Sequence, residues 1–188
     1  LLAIIVFISL AYFYYYIKLK SLNAALLKLS ITDKLTGLYN RVKMDQVLIQ
    51  YKSAMDRYGA ATALILLDVD LFKNVNDRYG HPAGDAVLIE ISRLIRSNIR
   101  KSDYAGRWGG EEFLIVCPNI NQEQAKILAE KILYKIRKHS FPSVDRVTIS
   151  AGVSEFSKDL SVQKSISNVD EALYRSKQNG RDKVTMYA

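Results

Sequence analysis

The sequence contains few of the residues that build disulfides or zinc sites. Its 188 residues include one cysteine, Cys117, and two histidines, His81 and His139. One cysteine excludes an internal disulfide, and so small a set of nitrogen and sulfur ligands argues against a zinc cluster. Cys117 lies in an apolar run, where we expect a buried hydrophobic side chain rather than a reactive thiol.

Dense basic tracts and a P-loop motif are absent as well. The formal net charge is +8, but the lysines and arginines are scattered, so we predict no nucleic-acid partner. The charge suits an anionic ligand or an anionic membrane surface. No G-x-x-x-x-G-K-[ST] segment occurs, so the sequence does not support a P-loop nucleotide site.

The N-terminal 17 residues carry no charged side chain, and Lys18 and Lys20 follow them. A transmembrane helix needs about 20 apolar residues, so we predict a partial transmembrane helix at 1–17, cut at its upstream end. Three tyrosines at 14–16 fit an interfacial aromatic belt, and the lysines fit the cytoplasmic side. We therefore expect the inner (cytoplasmic) membrane as location, with the remaining chain in the cytoplasm. A buried soluble helix is the alternative, and a signal peptide is less favoured because its charges precede the apolar core.

A short connector at 18–31 follows. Four leucines at spacings of three, four and three residues give it a coiled-coil rhythm: Leu19, Leu22, Leu26 and Leu29. The rhythm lasts less than two heptads, so it favours dimerisation only weakly. The remainder, 32–188, is long enough for one packed domain.

Helical and strand patterns alternate along this domain. Helical periodicity covers 41–58, 82–100, 121–136 and 169–178, and strand patterns cover 61–70, 103–108, 111–117, 144–156 and 183–187. The two strands joined by Gly109-Gly110 predict a hairpin. We therefore predict an α/β (α+β) fold, with a central mixed β-sheet flanked by helices and preceded by an N-terminal helix.

Two aspartates, Asp68 and Asp70, end the most apolar predicted strand. Residues two apart on a strand point to the same face, and ligands gather at the carboxyl ends of strands in open α/β sheets. Buried carboxylates are costly unless they are solvated, paired or bound to a cation. The simpler alternative is that one aspartate is solvated and the other caps the following turn.

Two glutamates follow the predicted glycine turn and supply further carboxylates. Glycines at 109 and 110 permit positive φ and the close approach of a phosphate, which places Glu111 at the hairpin tip beside Glu112. Such oxygen ligands favour Mg²⁺ or Mn²⁺ shared with substrate phosphates, and two such ions activate a hydroxyl for attack on phosphorus. An ordinary hairpin with exposed acidic residues is the alternative.

Polar side chains after the aspartates suit a nucleotide. Lys73 can neutralise developing phosphate charge, and Asn76 with Asp85 can match the donors and acceptor of guanine. Lys177 and Arg181, around Gly180, can clamp phosphates. Each has an ordinary alternative, since asparagine favours turns, aspartate favours a helix N-terminus and basic residues favour a helix C-terminus.

Four motifs in this order resemble those of the GGDEF family of diguanylate cyclases: "DKLTGLYNR", "DVDLFKNVNDRYGHPAGD", "RWGGEEF" and "DEALYRSKQNGR". The resemblance spans about 32–187. It implies a fold related to the polymerase palm and nucleotidyl cyclases, and the condensation of two GTP into cyclic di-GMP and two pyrophosphates. The third signature residue is Glu111 rather than Asp, a GGEEF variant that keeps the carboxylate.

The resemblance also implies a role for individual residues. Two Mg²⁺ or Mn²⁺ ions per active site would be held by Asp68, the backbone carbonyl of Val69, and Glu111. Glu112 would bind or activate the 3′-hydroxyl, with the choice of base between the two glutamates left open, and Lys73 would stabilise the transition state. The substrate-binding set would be the backbone at Leu71 and Phe72 together with Asn76, His81, Asp85, Lys177 and Arg181.

A second site is implied upstream of the hairpin. Arg100 and Asp103 form an R-x-x-D motif, with five residues between Asp103 and Gly109. The resemblance implies that this motif binds cyclic di-GMP and inhibits the enzyme. A surface ion pair is the alternative.

The implied reaction requires two domains. The 3′-hydroxyl of one GTP must meet the α-phosphate of another, so we expect a homodimer whose geometry is set by the helix and connector upstream of a catalytic domain at 32–188. The rival hypotheses are a catalytically silent sensor of GTP or cyclic di-GMP and a cyclase that makes a mononucleotide product.

Overall fold

The computed structural model describes residues 2–142 and 144–188; within the first helix it describes the side chains of residues 7, 9–22 and 31. That helix, α1, runs continuously over Leu2–Ile31. Its described large apolar side chains are mostly exposed, including Leu19 and Leu22. The leucines at 26 and 29 lie outside the described side chains.

No helix in the described part of the chain combines the length and apolarity needed to cross a membrane. The partial span at 1–17 stays a prediction. Part of that prediction, at 1–6 and 8, lies outside the described side chains.

Five strands form one mixed sheet in the order β2-β3-β1-β4-β5. Their bounds are β1 Thr62–Val69, β2 Tyr104–Arg107, β3 Glu112–Pro118, β4 Ile149–Glu155 and β5 Val184–Met186. The β1–β3, β1–β4 and β2–β3 pairs are antiparallel, and β4–β5 is parallel. The predicted mixed sheet flanked by helices is confirmed.

The remaining helices are α2 Arg41–Tyr58, α3 Phe72–Tyr79, α4 His81–Asn98, α5 Gln122–Lys138 and α6 Val162–Gln178. Asn121 and Gln124 form the capping box that starts α5, which satisfies backbone N–H groups that a helix start leaves unpaired. No helix was predicted for the segment that forms α3. It is helical because Phe72 and Val75 bury an apolar face, whereas most of its polar side chains are exposed.

Strand β1 is the centre of the domain. All eight of its residues are buried, as a strand covered on both faces requires. One apolar cluster lies on each side: Ile65 and Leu67 pack into the first, and Leu64 and Leu66 into the second. The C-terminal end of this strand is consequently fixed in position, and the aspartates that follow are held at its rim.

Candidate active site at the end of the central strand

The two aspartates at the end of β1 have different surroundings. Asp70 accepts hydrogen bonds from the hydroxyls of Thr148 (2.7 Å) and Ser150 (2.6 Å) and from the backbone N–H of Asp182 (3.1 Å). These bonds satisfy a carboxylate that is 8 % exposed. Asp70 is thus a structural residue that fixes the turn at Asp182.

Asp68 instead has a cationic partner. Its Oδ2 lies 2.8 Å from the Nζ of Lys177. Burial and, to a lesser extent, the charges of Glu111 and Glu112 raise the pKa of Asp68, Lys177 lowers it, and the net pKa is about 6. Of the four carboxylates singled out in the sequence, Glu111 and Glu112 are close enough to Asp68 to affect its charge, whereas Asp70 is engaged elsewhere.

Strand register creates this cluster. Asp68 on β1 lies directly opposite Glu112 on β3, and such cross-strand neighbours share one face of the sheet. The backbone N–H of Val69 donates to the carbonyl of Glu111 over 3.3 Å. Asp68, Val69 and the two glutamates therefore meet at one rim.

The glycines of the hairpin act differently from the prediction. The connection between the strands extends from Trp108 to Glu111 rather than over two residues, and neither Gly109 nor Gly110 has positive φ. A Cβ atom on Gly109 would lie 2.3 Å from Oε2 of Glu112, whereas one on Gly110 would meet no atom within 4 Å. Gly109 makes room for the Glu112 carboxylate, and Gly110 leaves open space beside it.

Two arginines hold this hairpin, and sequence reasoning missed both. Arg107 donates to the carbonyl of Gly110 through Nε (3.0 Å) and Nη2 (2.7 Å) and reaches Asp33 at 3.5 Å. Arg41 donates to the carbonyl of Trp108 over 3.2 Å and stacks on its indole ring. The sequence signal for these arginines was their place in two of the quoted motifs, Arg41 at the end of the first and Arg107 at the start of "RWGGEEF".

Asp33 links the hairpin to the end of α1. Burial raises the pKa of Asp33, but hydrogen bonds from Thr36 and the charge of Arg107 outweigh burial and hold the pKa below its usual value. The backbone N–H of Asn40 also donates to the carbonyl of Ile31, the last residue of α1. The connector helix is therefore bonded to the segment that holds the hairpin.

The residues predicted for the base and the reacting phosphate lie on α3 and α4. Asn76 on α3 packs against Gly84, where an added Cβ would lie 2.0 Å from its Oδ1. Asp85 and His81 are exposed near the start of α4, and Lys73 is exposed on α3. The structure gives no base contact, so the guanine role of Asn76 and Asp85 stays a prediction.

The predicted phosphate-binding residues converge in part. Leu71, in left-handed conformation, precedes α3; Phe72 begins that helix and is buried. Leu71 and Arg181 line one cavity of about 680 Å³. Asp68, Glu111 and Glu112 do not line it, so the cavity adjoins the carboxylate cluster rather than containing it.

Arg100 and Asp103 lie at the turn between α4 and β2. The Asp103 carboxylate accepts the backbone N–H of Arg100 over 2.8 Å, and no carboxylate of the described residues lies within 4 Å of the Arg100 side chain. The alternative of a surface ion pair is therefore not realised. Both residues line two cavities, of about 370 and 440 Å³.

A metal ion is compatible with the donors at the strand end. Across 2–142 and 144–188, no three His, Cys, Asp or Glu side chains are placed to hold a metal by themselves. Asp68 nevertheless already binds a cation, and Mg²⁺ is commonly held by one or two carboxylates with phosphates completing its shell. The donor set fits such an ion when substrate oxygens contribute.

Together these features define an α+β domain with a carboxylate cluster at the end of its central strand. Residues 30–183 match the family model for "Diguanylate cyclase, GGDEF domain". The chain therefore belongs to the GGDEF diguanylate cyclase family.

Named relatives and solved structures agree with this assignment. Diguanylate cyclase A of Treponema denticola is 39% identical over 171 residues, covering 87% of this chain and 46% of the relative. The coiled coil and GGDEF domain of DgcB from Caulobacter crescentus, in complex with c-di-GMP, aligns with TM-score 0.86 and 27% identity, over 92% of this chain and 94% of that one. The active GGEEF domain of a Vibrio cholerae diguanylate cyclase aligns with TM-score 0.76 and 34% identity, over 79% and 97%.

The chain spans between 26% and 46% of the length of the first curated relatives it matches. The similarity to these relatives therefore concerns the GGDEF domain.

The tether from Arg107 can be tested directly. Arg107→Met keeps the aliphatic chain and removes the donors to Gly110, so we expect hydrogen exchange at 108–112 to accelerate about tenfold, as loss of charged hydrogen bonds predicts. The measurement is hydrogen–deuterium exchange with mass spectrometry. Arg93→Met, which removes an exposed pair with Glu90 on α4, is the control. Unchanged exchange at 108–112 would show that Arg107 does not hold the hairpin.

Proposed function

We propose that this domain is a diguanylate cyclase that condenses two GTP into cyclic di-GMP with release of two pyrophosphates. The observation that carries the proposal is the placement of Asp68 opposite Glu112 in the register of β1 and β3, with the charge of Glu111 near enough to raise the pKa of Asp68. Membership of the GGDEF family supports the substrate and the product.

Each predicted residue has a task in this reaction. Asp68, Glu111 and the Val69 carbonyl would hold two Mg²⁺ or Mn²⁺ ions, which supply charge stabilisation at phosphorus and activation of the hydroxyl. Glu112, on β3 opposite Asp68, is available to accept the proton of the 3′-hydroxyl, and Glu111 is the other candidate for this role. Lys73 neutralises charge that develops on the phosphate.

The substrate is positioned by the remaining residues. Asn76 and Asp85 bind the guanine edge, His81 contacts substrate nearby, and the backbone at Leu71 and Phe72 binds phosphate. Lys177 and Arg181 neutralise the triphosphate. Holding reactants in position contributes several kcal/mol to lowering the barrier, which explains why so many groups serve binding.

Catalysis requires a homodimer, because each domain supplies one GTP. The continuous helix α1 projects exposed Leu19 and Leu22, and its end is bonded to the segment that holds the hairpin. We infer that the connector at 18–31 sets how two catalytic domains (32–188) meet.

Membrane attachment through 1–17, with the catalytic domain facing the cytoplasm at the inner membrane, is a further part of the proposal. Its support is the uncharged N-terminal stretch ahead of Lys18 and Lys20. Alkaline extraction of membranes carrying this chain should leave it in the pellet. Quantitative release into the supernatant would contradict attachment.

The activity is tested by incubating purified protein with GTP and Mg²⁺ and separating the nucleotides by chromatography. We expect cyclic di-GMP, with a rate per protomer that rises with protein concentration because two domains must meet. Asp68→Asn should lower this rate at least about a hundredfold, since it removes a charged ligand. GTP binding without product would favour the silent sensor, and a cyclic mononucleotide would favour the other cyclase class.

Product inhibition at Arg100 and Asp103 is the regulatory part of the proposal. Arg100→Ala removes a guanidinium that has no carboxylate partner among the described residues, so folding should be unaffected. We expect weaker cyclic di-GMP binding, by about tenfold or more, and a higher steady-state product level. Lys101→Ala, an exposed neighbour, is the control. Unchanged product level and affinity in Arg100→Ala would exclude this site.

A further inference from the structure

The three cationic side chains assigned to the phosphates differ in exposure and in whether a carboxylate pairs with them. Lys73 and Arg181 are exposed, and within the described residues neither has a carboxylate within 4 Å. Lys177 alone is paired, with its Nζ 2.8 Å from Oδ2 of Asp68. The partner of Lys177 is thus the carboxylate expected to bind the metal.

The backbone of Lys177 is fixed while its side chain remains adaptable. The neighbouring Ser176 is buried and donates its hydroxyl to the carbonyl of Ala151 on β4 over 2.7 Å, which anchors the end of α6. The Lys177 side chain is 32% exposed and that of Asp68 is 9% exposed. A long side chain on an anchored backbone can exchange partners by rotamer changes alone.

We propose that Lys177 is the resident counter-ion of Asp68, which a divalent cation displaces, and that the released ammonium group then binds the nucleotide phosphates. The inference rests on the proposed function. It adds that Lys177 binds two partners in succession, first Asp68 and then the nucleotide phosphates, and that metal binding couples the two steps.

The physical reason for the displacement is that the metal ion and the Lys177 ammonium group compete for one oxygen, Oδ2 of Asp68. A divalent ion bound to Oδ2 of Asp68 would be a close neighbour of the ammonium group, and like charges at short range repel strongly where burial limits screening. Metal binding to the nucleotide-free protein must therefore break the Lys177–Asp68 pair. A triphosphate supplies new acceptors for the ammonium group, so metal and nucleotide each strengthen binding of the other.

This linkage has a functional consequence. Without nucleotide, Lys177 neutralises Asp68 and opposes metal binding to the empty site. With nucleotide present, the same charge contributes to substrate binding. The site therefore favours the joint binding of metal and triphosphate over binding of the metal alone.

The test measures Mn²⁺ binding without nucleotide, by electron paramagnetic resonance of the free ion, at pH about 8 so that the Asp68 carboxylate is ionised. Lys177→Met should bind Mn²⁺ about tenfold more tightly than the wild type, since no charge-assisted bond has to be broken. Lys177→Gln should act in the same direction, and Lys177→Arg, which keeps a cation, should resemble the wild type.

A second titration uses 3′-deoxy-GTP in the presence of Mn²⁺. This nucleotide cannot condense because it lacks the attacking hydroxyl. Here Lys177→Met should bind the nucleotide about tenfold more weakly. The opposite signs of the two effects distinguish counter-ion exchange from a general loss of structure, which would weaken both.

Lys73→Met controls for the removal of any positive charge near the site and should change Mn²⁺ affinity less than about twofold. Equal tightening in Lys73→Met and Lys177→Met, or unchanged or weaker Mn²⁺ binding in Lys177→Met, would overturn the inference. The chromatographic assay of the wild type is run in parallel. If the wild type forms cyclic di-GMP but Lys177→Met leaves the Mn²⁺ affinity unchanged, only the counter-ion exchange is refuted. If Lys177→Met binds Mn²⁺ more tightly but the wild type forms no cyclic di-GMP, only the proposed reaction is refuted.

Discussion

The antiparallel pairing of β1 with β3 is the constraint on which the candidate site depends. It sets Asp68 opposite Glu112 and brings three carboxylates to one rim of the sheet. A slip of one residue would turn the side chains of a strand to the opposite face, and the apolar clusters on both sides of β1 oppose any such slip. Packing of the core and assembly of the site are therefore the same structural requirement.

Charge balance around this rim explains the surrounding elements. Asp70 is satisfied by Thr148, Ser150 and the Asp182 backbone, which leaves Asp68 as the aspartate available to a cation. Two arginines hold the hairpin from outside through carbonyl groups rather than carboxylates, so the glutamates are not neutralised by them. The tether from Asp33 to Arg107 also joins the end of the connector helix to the hairpin, which provides a physical route by which α1 can influence the site.

The sequence allowed the sheet, its central strand and the carboxylate cluster to be predicted, because apolar runs and acidic residues in sequence motifs are local signals. The helical state of α3 was missed, since Asn74 and Asn76 give it the composition of a turn and only packing of Phe72 and Val75 reveals the helix. The role of Gly109 was misread because its constraint is steric contact with Glu112 rather than positive φ. The Arg107 tether could not be foreseen, because Asp33 lies 74 residues away.

We propose that Asp68 is the cation site of this GGDEF domain and that its cation changes from Lys177 to a metal ion when substrate binds. A crystal structure with 3′-deoxy-GTP and Mn²⁺, in which the anomalous signal locates manganese, is the decisive measurement of this exchange. We expect manganese bound to Asp68 and Glu111, with the Lys177 ammonium group on a phosphate oxygen. Manganese bound elsewhere, with the Lys177–Asp68 pair intact beside a bound nucleotide, would contradict it.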